Sequence, residues 1–267
     1  MSNVLITKFP YSSTFGGGEK HTLTLVERLQ QRGHHCYLLS TCSVLVPEFR
    51  RRAWAVQTVW AGTEPVTVSA LVKFFFTAPL IWVNLLRWLV WYKRVKQVDH
   101  LICLSLTEKV LLTPWAKLLG IKVIWIEHLQ IERWLLASPL RLLYVLWSRY
   151  ATVVTVVQAV KTQLMQLGVP AQHITVIYNS IDLAKFKPQP SINPAERFEL
   201  VFVGRLATEK GIDDLIRAVA QLRDRIPQLH LTIVGQGYWQ AELQTLITIL
   251  QLSEYVQLVG FQEDITS

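Results

Sequence analysis

Short apolar runs recur along the chain, and stretches with helical periodicity separate them. Within these runs, apolar and polar residues do not alternate. Strands that are apolar on both faces are typical of a parallel sheet covered by helices on each side. The succession of strands and helices therefore predicts an α/β fold built from βαβ units. In the first two thirds of the sequence, the predicted strands are Asn3–Phe9, Cys36–Ser40, His100–Leu104, Lys122–Ile126 and Thr152–Val157.

A segment rich in proline and polar residues, 187–194, interrupts this pattern and predicts a linker. We therefore predict two domains, residues 1–190 and residues 191–267. The second is shorter than the roughly 100–150 residues typical of a domain, so we expect it to be incomplete. The βαβ pattern resumes in it with strands Glu199–Val203, Leu229–Val234 and Val256–Val259 and helices Ile212–Asp224 and Gln240–Leu250.

Charge is divided unevenly along the chain. Residues 1–198 carry 22 Lys and Arg against 10 Asp and Glu, whereas residues 199–267 carry 5 against 9. Hydrophobic residues make up 51% of the chain and charged residues 17%, which excludes a disordered protein. Three scattered cysteines predict neither a disulfide framework nor a Cys metal site, and the first apolar run is too short for a signal peptide. We therefore expect a cytoplasmic protein.

Two stretches of the first predicted domain are unusually apolar and aromatic. They are Val72–Tyr92, whose few polar residues fall on one narrow stripe, and Arg133–Tyr150, which mixes Trp and Tyr with Arg. A helix that lies in the headgroup layer of an anionic membrane needs such an apolar face edged by Trp, Lys and Arg. A crossover helix buried under the first sheet explains the pattern equally well. A transmembrane span is disfavoured because Asn84 and Arg87 would lie near the middle of the bilayer, where Arg alone costs about 3 kcal/mol.

A glycine cluster, Gly16-Gly-Gly18, lies between the first strand and the first helix. Glycine lets the backbone approach a ligand, and the first amides of a helix attract phosphate. The loop lacks the Gly-x-Gly-x-x-Gly pattern of dinucleotide-binding domains, and Ser40 and Thr41 stand where such a domain has an acid. A dehydrogenase is therefore disfavoured. Glycines that serve only the turn remain the alternative.

A second loop, Phe202–Gly211, delivers Arg205 and Lys210 beside the start of a helix. Two cations, backbone amides and a helix amino terminus together suit a diphosphate. A bond between a sugar carbon and oxygen breaks most easily when the charge of a departing diphosphate is neutralised in place. The chain contains no Asp-x-Asp to carry a divalent metal, so Arg205 and Lys210 are the predicted substitutes. The alternative is a solvated charge cluster at a helix start.

The stretch Val203-Gly-Arg-Leu-x-x-Glu-Lys-Gly-x-x-x-Leu-Ile-x-Ala218 resembles the donor-phosphate motif of glycosyltransferase family 4, a retaining family with the GT-B fold. The resemblance implies two Rossmann-like domains whose parallel sheets face a cleft, with the second domain incomplete. Further matches follow in the family's order along the whole chain: Gly17-Gly-x-Lys20, Val98–Cys103, His128, Val154–Lys161, Val176–Asp182 with Phe186, and Ile233–Gly237.

The resemblance also implies a role for each matching residue. Arg205 and Lys210 would bind the donor diphosphate and would be catalytic together with His128. His128 and Glu19 would lie on the acceptor side, although a His after an apolar strand is more often a hydrogen-bonded structural residue. The glycines that would lie at the donor are Gly17, Gly18, Gly204, Gly235 and Gly237.

The implied reaction moves a hexose from a nucleotide diphosphate sugar to a hydroxyl of a glycan or lipid-linked acceptor. No cofactor or metal is expected. We expect any contact of the protein with the cytoplasmic face of the membrane to be peripheral. Nucleic acid is not an expected partner because the basic residues are interleaved with Trp and Leu. Asn179-Ser180 and Gln158 depart from the family, which usually has Asn-Gly and Ser there. The family's Glu-x7-Glu segment would follow Ser267, so the alternative is a truncated relative that only binds nucleotide or membrane.

Overall fold

The computed structural model describes residues 1–9, 16–62, 65, 67–128, 135, 138–181, 183, 186 and 198–262. The chain divides into two compact units, Met1–Ser180 (the first unit) and Ile181–Ser267 (the second unit). The predicted linker and the predicted boundary between residues 190 and 191 lie outside the described residues. Both units alternate strands and helices, so the predicted α/β class is confirmed.

The first unit contains one parallel sheet of seven strands in the order β3-β2-β1-β4-β5-β6-β7. The register places Ile102 of β4 opposite Ile6 of β1 on one side and Ile124 of β5 on the other. In chain order the strands and helices are β1 (Asn3–Lys8), α1 (Gly17–Gln31), β2 (His35–Ser40), α2 (Leu45–Arg51), β3 (Ala55–Thr58), α3 (Val68–Val95), β4 (His100–Cys103), α4 (Leu106–Leu118), β5 (Lys122–Glu127), α5 (Leu140–Ser148), β6 (Ala151–Thr155), α6 (Gln158–Leu167) and β7 (Ile174–Val176).

Hydrophobic cores cover both faces of this sheet. Leu5 of β1 packs in the core that includes residues of α3, α4, α5 and α6. Its neighbours Val4 and Ile6, which point to the opposite face, pack in the core that includes residues of α1 and α2. The absence of alternation in the predicted strands is thus explained by burial on both sides, as expected for a doubly wound sheet.

The order of the strands reverses between β1 and β4, and this reversal positions the candidate site. In open α/β sheets, ligands bind outside the carboxyl ends of the strands at such a reversal. Hydrogen bonds fix the backbone on both sides of it. Ser105 Oγ donates to the Phe9 carbonyl at 3.2 Å, and Glu108 Oε1 accepts from the amides of Leu104 at 3.0 Å and Ser105 at 2.7 Å.

The helix α3 packs on the first sheet along one face and exposes an apolar face on the other. Its buried residues are Phe74, Ile81, Leu85, Leu89 and Tyr92. By length and composition alone α3 could cross a membrane, and 17% of the residues in its apolar 18-residue stretch are buried. The interpretation as a helix buried under the sheet therefore holds for one face only. The apolar residues that α3 exposes are Val68, Val72, Phe75, Phe76, Leu80, Val83, Trp91 and Val95.

The second unit contains a parallel sheet of three strands in the order β10-β9-β8. Burial alternates along β9, and Val201 and Val203 of β8 are exposed. The core of the described part of this sheet lies on one face, between the sheet and both helices. The elements are β8 (Phe198–Val203), α7 (Ile212–Leu222), β9 (Leu229–Val234), α8 (Gln240–Ile249) and β10 (Val256–Gly260).

Candidate active site

The predicted site residues of the first unit lie at the carboxyl ends of β1 and β5. The helix α1 begins at Gly17, after Gly16, whose backbone is extended. A Cβ atom added at Gly18 would lie 3.9 Å from Cδ2 of His128, which directly follows β5. The structure therefore brings the start of α1 and His128 together, although the sequence separates them by 110 positions.

Glu19 is bound by a residue that the sequence pattern did not reveal. The Lys8 ammonium, at the end of β1, donates to Glu19 Oε1, and Glu19 is only 7% exposed. Burial alone would raise the pKa of Glu19, but the hydrogen bond and charge of Lys8 hold it below its ordinary value. Glu19 is therefore an ionised, buried carboxylate with a structural partner. Its contact with an acceptor stays a prediction.

His21 is a second residue that was missed, and it packs against His128. The two rings meet edge to face, with centroids 4.7 Å apart. Burial first, and then the charges of His21, Lys109 and Lys8, lower the pKa of His128 to about 4, so its imidazole is neutral at pH 7. His128 Nε2 and His21 Nδ1 are buried and find no hydrogen-bond partner in the described part of the chain. A neutral imidazole with a free ring nitrogen can bind a hydroxyl group.

The predicted site residues of the second unit lie at the carboxyl end of β8. The exposed Arg205 guanidinium donates to Glu209 Oε1 at 2.8 Å. Lys210 ends a short 3-10 helix, Thr208–Lys210, and the left-handed Gly211 (φ 63°) separates it from α7. Both cations thus lie just before the amino terminus of α7, as the sequence predicts. The first turn of α7 already carries Asp213 and Asp214, so Arg205 and Lys210 have to supply most of the attraction for an anion.

Tyr238 supports this loop from the segment that follows β9. Its hydroxyl lies 2.9 Å from Thr208 Oγ1 and accepts from the Thr208 amide at 3.2 Å. The loop therefore has a side-chain support 30 residues away in sequence. No local pattern in the sequence indicates this contact.

Gly235 and Gly237 allow the two loops of the second unit to touch. A Cβ atom at Gly235 would lie 1.8 Å from the Gly204 carbonyl oxygen, and one at Gly237 would lie 2.0 Å from that of Leu206. The Gly204 amide donates to the Val234 carbonyl at 3.0 Å. Both glycines thus have a structural reason for their small size. Their predicted contact with the donor stays a prediction.

A metal-binding cluster was not predicted. Within the ranges that the structure describes, no group of three or more His, Cys, Asp and Glu residues is close enough to hold a metal ion. In the described part of the second unit, Arg205 and Lys210 are the cations of the loop that precedes α7.

The family of the chain follows from comparison with known proteins. Residues 15–185 match the model described as Glycosyltransferase Family 4. The chain belongs to glycosyltransferase family 4. Residues 184–267 match a second model, described as Glycosyl transferases group 1.

Two curated relatives match part of the family 4 chain. The amylovoran biosynthesis glycosyltransferase AmsK of Erwinia amylovora is 32% identical over 105 residues, which are 39% of this chain and 26% of that protein. The GDP-mannose-dependent alpha-(1-6)-phosphatidylinositol monomannoside mannosyltransferase of Mycolicibacterium smegmatis is 37% identical over 84 residues, 28% of this chain and 22% of that protein. The chain thus matches about a quarter of the length of these relatives.

A solved structure shares the fold of the family 4 chain. HepE of Anabaena, crystallised in complex with UDP, aligns with a TM-score of 0.75 at 19% identity. The alignment covers 100% of this chain and 71% of HepE. The chain therefore has the GT-B fold that the resemblance implied, with a Rossmann-like sheet in each unit.

Proposed function

We propose that this protein is a retaining glycosyltransferase that moves a hexose from a nucleotide diphosphate sugar to a hydroxyl group. The observation that carries the proposal is the loop after β8, where Arg205 and Lys210 lie before the amino terminus of α7. Such cations stabilise a diphosphate leaving group. The complex of HepE with UDP and the GDP-mannose dependence of the Mycolicibacterium relative support this class of donor.

In the proposed reaction, the bond between the anomeric carbon and the diphosphate oxygen breaks while the acceptor oxygen bonds to the same face of that carbon. The diphosphate leaves with the electron pair and takes the proton of the acceptor hydroxyl. The reaction then needs no protein nucleophile, cofactor or metal. Arg205 and Lys210 stabilise the charge that develops on the diphosphate, and the neutral imidazole of His128 lies next to the sugar or the acceptor hydroxyl.

Single substitutions of the loop cations test this proposal in the complete protein. Arg205→Ala and Lys210→Ala should each lower acceptor-dependent release of nucleoside diphosphate by about two orders of magnitude, as when one preorganised charge stabiliser is lost. Arg217→Ala is the control, because Arg217 is an exposed cation on α7 outside the loop. Wild-type turnover in both loop variants would contradict the proposal. Binding of nucleotide sugar without any release would favour a relative that binds but transfers nothing.

The acceptor in this proposal is lipid-linked or otherwise bound to an anionic membrane, which the protein contacts peripherally. The exposed apolar face of α3 supports it, because Phe75 and Phe76 are 60% and 81% exposed. The helix α5 exposes a second apolar patch, at Leu142 and Leu146, and both helices pack against α4. The two apolar surfaces therefore flank one helix on a single face of the sheet.

Basic residues lie among the apolar residues on the exposed face of α3. Exposed Lys73, Arg87 and Arg94 lie along the helix, where they can reach anionic headgroups. A groove of about 470 Å³ opens between α3 and the segment after β3, and its lining includes Lys73, Phe76 and the exposed Trp60. Asn84 Nδ2 donates to the Trp60 carbonyl at 2.8 Å and ties this segment to the helix. An apolar lining with one cation suits the chain and the phosphate of a lipid acceptor.

Flotation with vesicles tests the membrane contact. The protein should float with vesicles that contain anionic phospholipid at low salt and should dissociate as salt rises. Phe75→Ser combined with Phe76→Ser should weaken binding by roughly 100-fold or more, because each buried Phe contributes about 1.5–3 kcal/mol. Phe261→Ser is the matched control, since this exposed Phe belongs to the second unit. Absence of binding by the wild-type protein at low salt would contradict the proposal.

A further inference from the structure

A buried polar network lies at the end of β5, next to His128. Lys109 of α4 is 3% exposed, and its ammonium donates to Glu127 Oε1 at 2.7 Å and to the Ile126 carbonyl at 3.3 Å. Tyr144 of α5 is 2% exposed, and its hydroxyl donates to the same carboxylate oxygen at 2.6 Å. One carboxylate oxygen thus receives hydrogen bonds from two helices.

Burying these charged groups has a high cost in free energy. Removing an ammonium and a carboxylate from water costs several kcal/mol per ion, and apolar side chains of similar volume often give an equal or higher stability. Burial, together with the Glu127 carboxylate, raises the pKa of Tyr144 well above its ordinary value, so its hydroxyl stays protonated and donates. The bonds of the network hold particular atoms in particular places, which an apolar core would not do.

The atoms that are held belong to the last two residues of β5. Lys109 binds the carbonyl of Ile126 and the side chain of Glu127, and Tyr144 binds the same side chain from the other helix. His128 is the next residue, so the backbone from which its ring extends is fixed by α4 and α5. Its ring also packs against the start of α1, where it meets the ring of His21 and lies close to Gly18.

We propose that Lys109, Glu127 and Tyr144 are positioning residues that fix the end of β5 and thereby the imidazole of His128; the consequence for transfer rests on the proposed function. The network also contributes to the charge around the ring. Among the described residues, the charged and titratable groups that act on His128 are Glu19 and His21 of α1, Lys8 of β1 and Lys109 of α4. Lys109 therefore both orients the ring and helps to keep it neutral.

Titration of His128 by NMR tests the positioning without any assay of activity. Lys109→Met should raise the pH at which His128 takes up a proton by roughly one unit, because a nearby cation is lost. Tyr144→Phe keeps every charge, so it should alter the ring's chemical shift and its contact with His21 rather than its charge environment. Lys117→Met on exposed α4 surface and Tyr150→Phe are the matched controls. A His128 signal that is unchanged in both network variants would overturn the proposal.

A double-mutant cycle in the complete protein tests whether the network acts through His128. Tyr144→Phe removes one oxygen atom and should lower kcat about tenfold with the KM for the donor unchanged. In a His128→Gln background the same substitution should have no further effect. An equal effect in both backgrounds would refute positioning. Full activity of His128→Gln, with the NMR changes still present, would instead refute the proposed role of His128 and leave the positioning intact.

Discussion

Replacing Gly237 with alanine tests the structural role of this glycine in the contact between the two loops of the second unit. The added Cβ would lie 2.0 Å from the carbonyl oxygen of Leu206 and 2.6 Å from its carbon. Both atoms are backbone, so no side chain can rotate away. The loop that carries Arg205 must move away from the loop after β9, or the sheet beneath must deform.

The cost of this substitution can be worked out from the contacts that it breaks. Overpacking of a filled site costs about 1–3 kcal/mol. Separation of the loops also weakens the hydrogen bonds from the Leu206 amide to Gln236 at 3.0 Å and from the Trp239 amide to Leu206 at 3.3 Å, each with a net value of about 1 kcal/mol. Alanine returns about 0.4–1 kcal/mol by restricting the unfolded chain. We therefore expect a net loss of about 3 kcal/mol.

Hydrogen exchange resolved by peptide measures this loss in the second unit alone. A loss of about 3 kcal/mol should speed exchange of the protected amides in 198–262 by roughly 100-fold. Gly17→Ala is the control, because a Cβ at Gly17 meets no atom within 4 Å. The affinity for nucleoside diphosphate should fall in parallel, since Arg205 lies between the two contact points. Equal protection of 198–262 in Gly237→Ala and Gly17→Ala would refute the reasoning.

Two further predictions concern the buried charges of the first unit. Lys8→Met should destabilise this unit by about 3 kcal/mol at pH 7 in urea unfolding, because the buried Glu19 carboxylate loses its partner. Because folding lowers the pKa of Glu19, its ionised carboxylate stabilises the folded state above its unfolded pKa, and this stabilisation is lost as pH falls. The difference in unfolding free energy between Lys8→Met and wild type should therefore become smaller in acid. For His128, the folded pKa of about 4 lies below the ordinary 6.5, so the unfolded state binds the proton first and stability falls as pH drops through this window. Between pH 7 and pH 5, the unfolding free energy of the wild type should fall by about 2 kcal/mol more than that of His128→Gln. Parallel curves of unfolding free energy against pH for the two proteins would contradict this.

The long elements of the fold could be predicted from the sequence because the strands of the first sheet are nearly continuous apolar runs and most of the helices bury a periodic set of apolar residues. The strand predicted at Lys122–Ile126 extends to Glu127, and the helix predicted at Ile212–Asp224 ends at Leu222. The helix α2 and the strand β3 were missed, because seven and four residues are too few to establish a period. The outward face of α3 could not be predicted either, since an apolar composition does not show which side a neighbour covers.

The sequence predicted where the site residues lie in the chain, but it did not predict which side chains contact them. The resemblance to family 4 pointed to His128 and the glycine loop, and the structure brings them together. His21, Lys8 and Tyr238 follow no motif, since each reaches its partner through the tertiary fold. The contacts of Lys8 and His21 help to keep Glu19 charged and His128 neutral, so the chemical state of these two predicted residues depends on residues that no local pattern identifies.

The close contact of the two loops in the second unit connects the family motif to the fold. Arg205 lies between Gly204 and Leu206, and the carbonyls of these two residues rest where Gly235 and Gly237 have no side chain. Any larger residue at either position would push the arginine loop away from the end of β8. The two glycines can therefore be required for donor binding without touching the donor, because they determine where Arg205 stands. A glycine in a binding motif can thus mark a place where two backbone segments come close together. The contact with the ligand is then made by a neighbouring residue, here Arg205, whose position depends on that close approach.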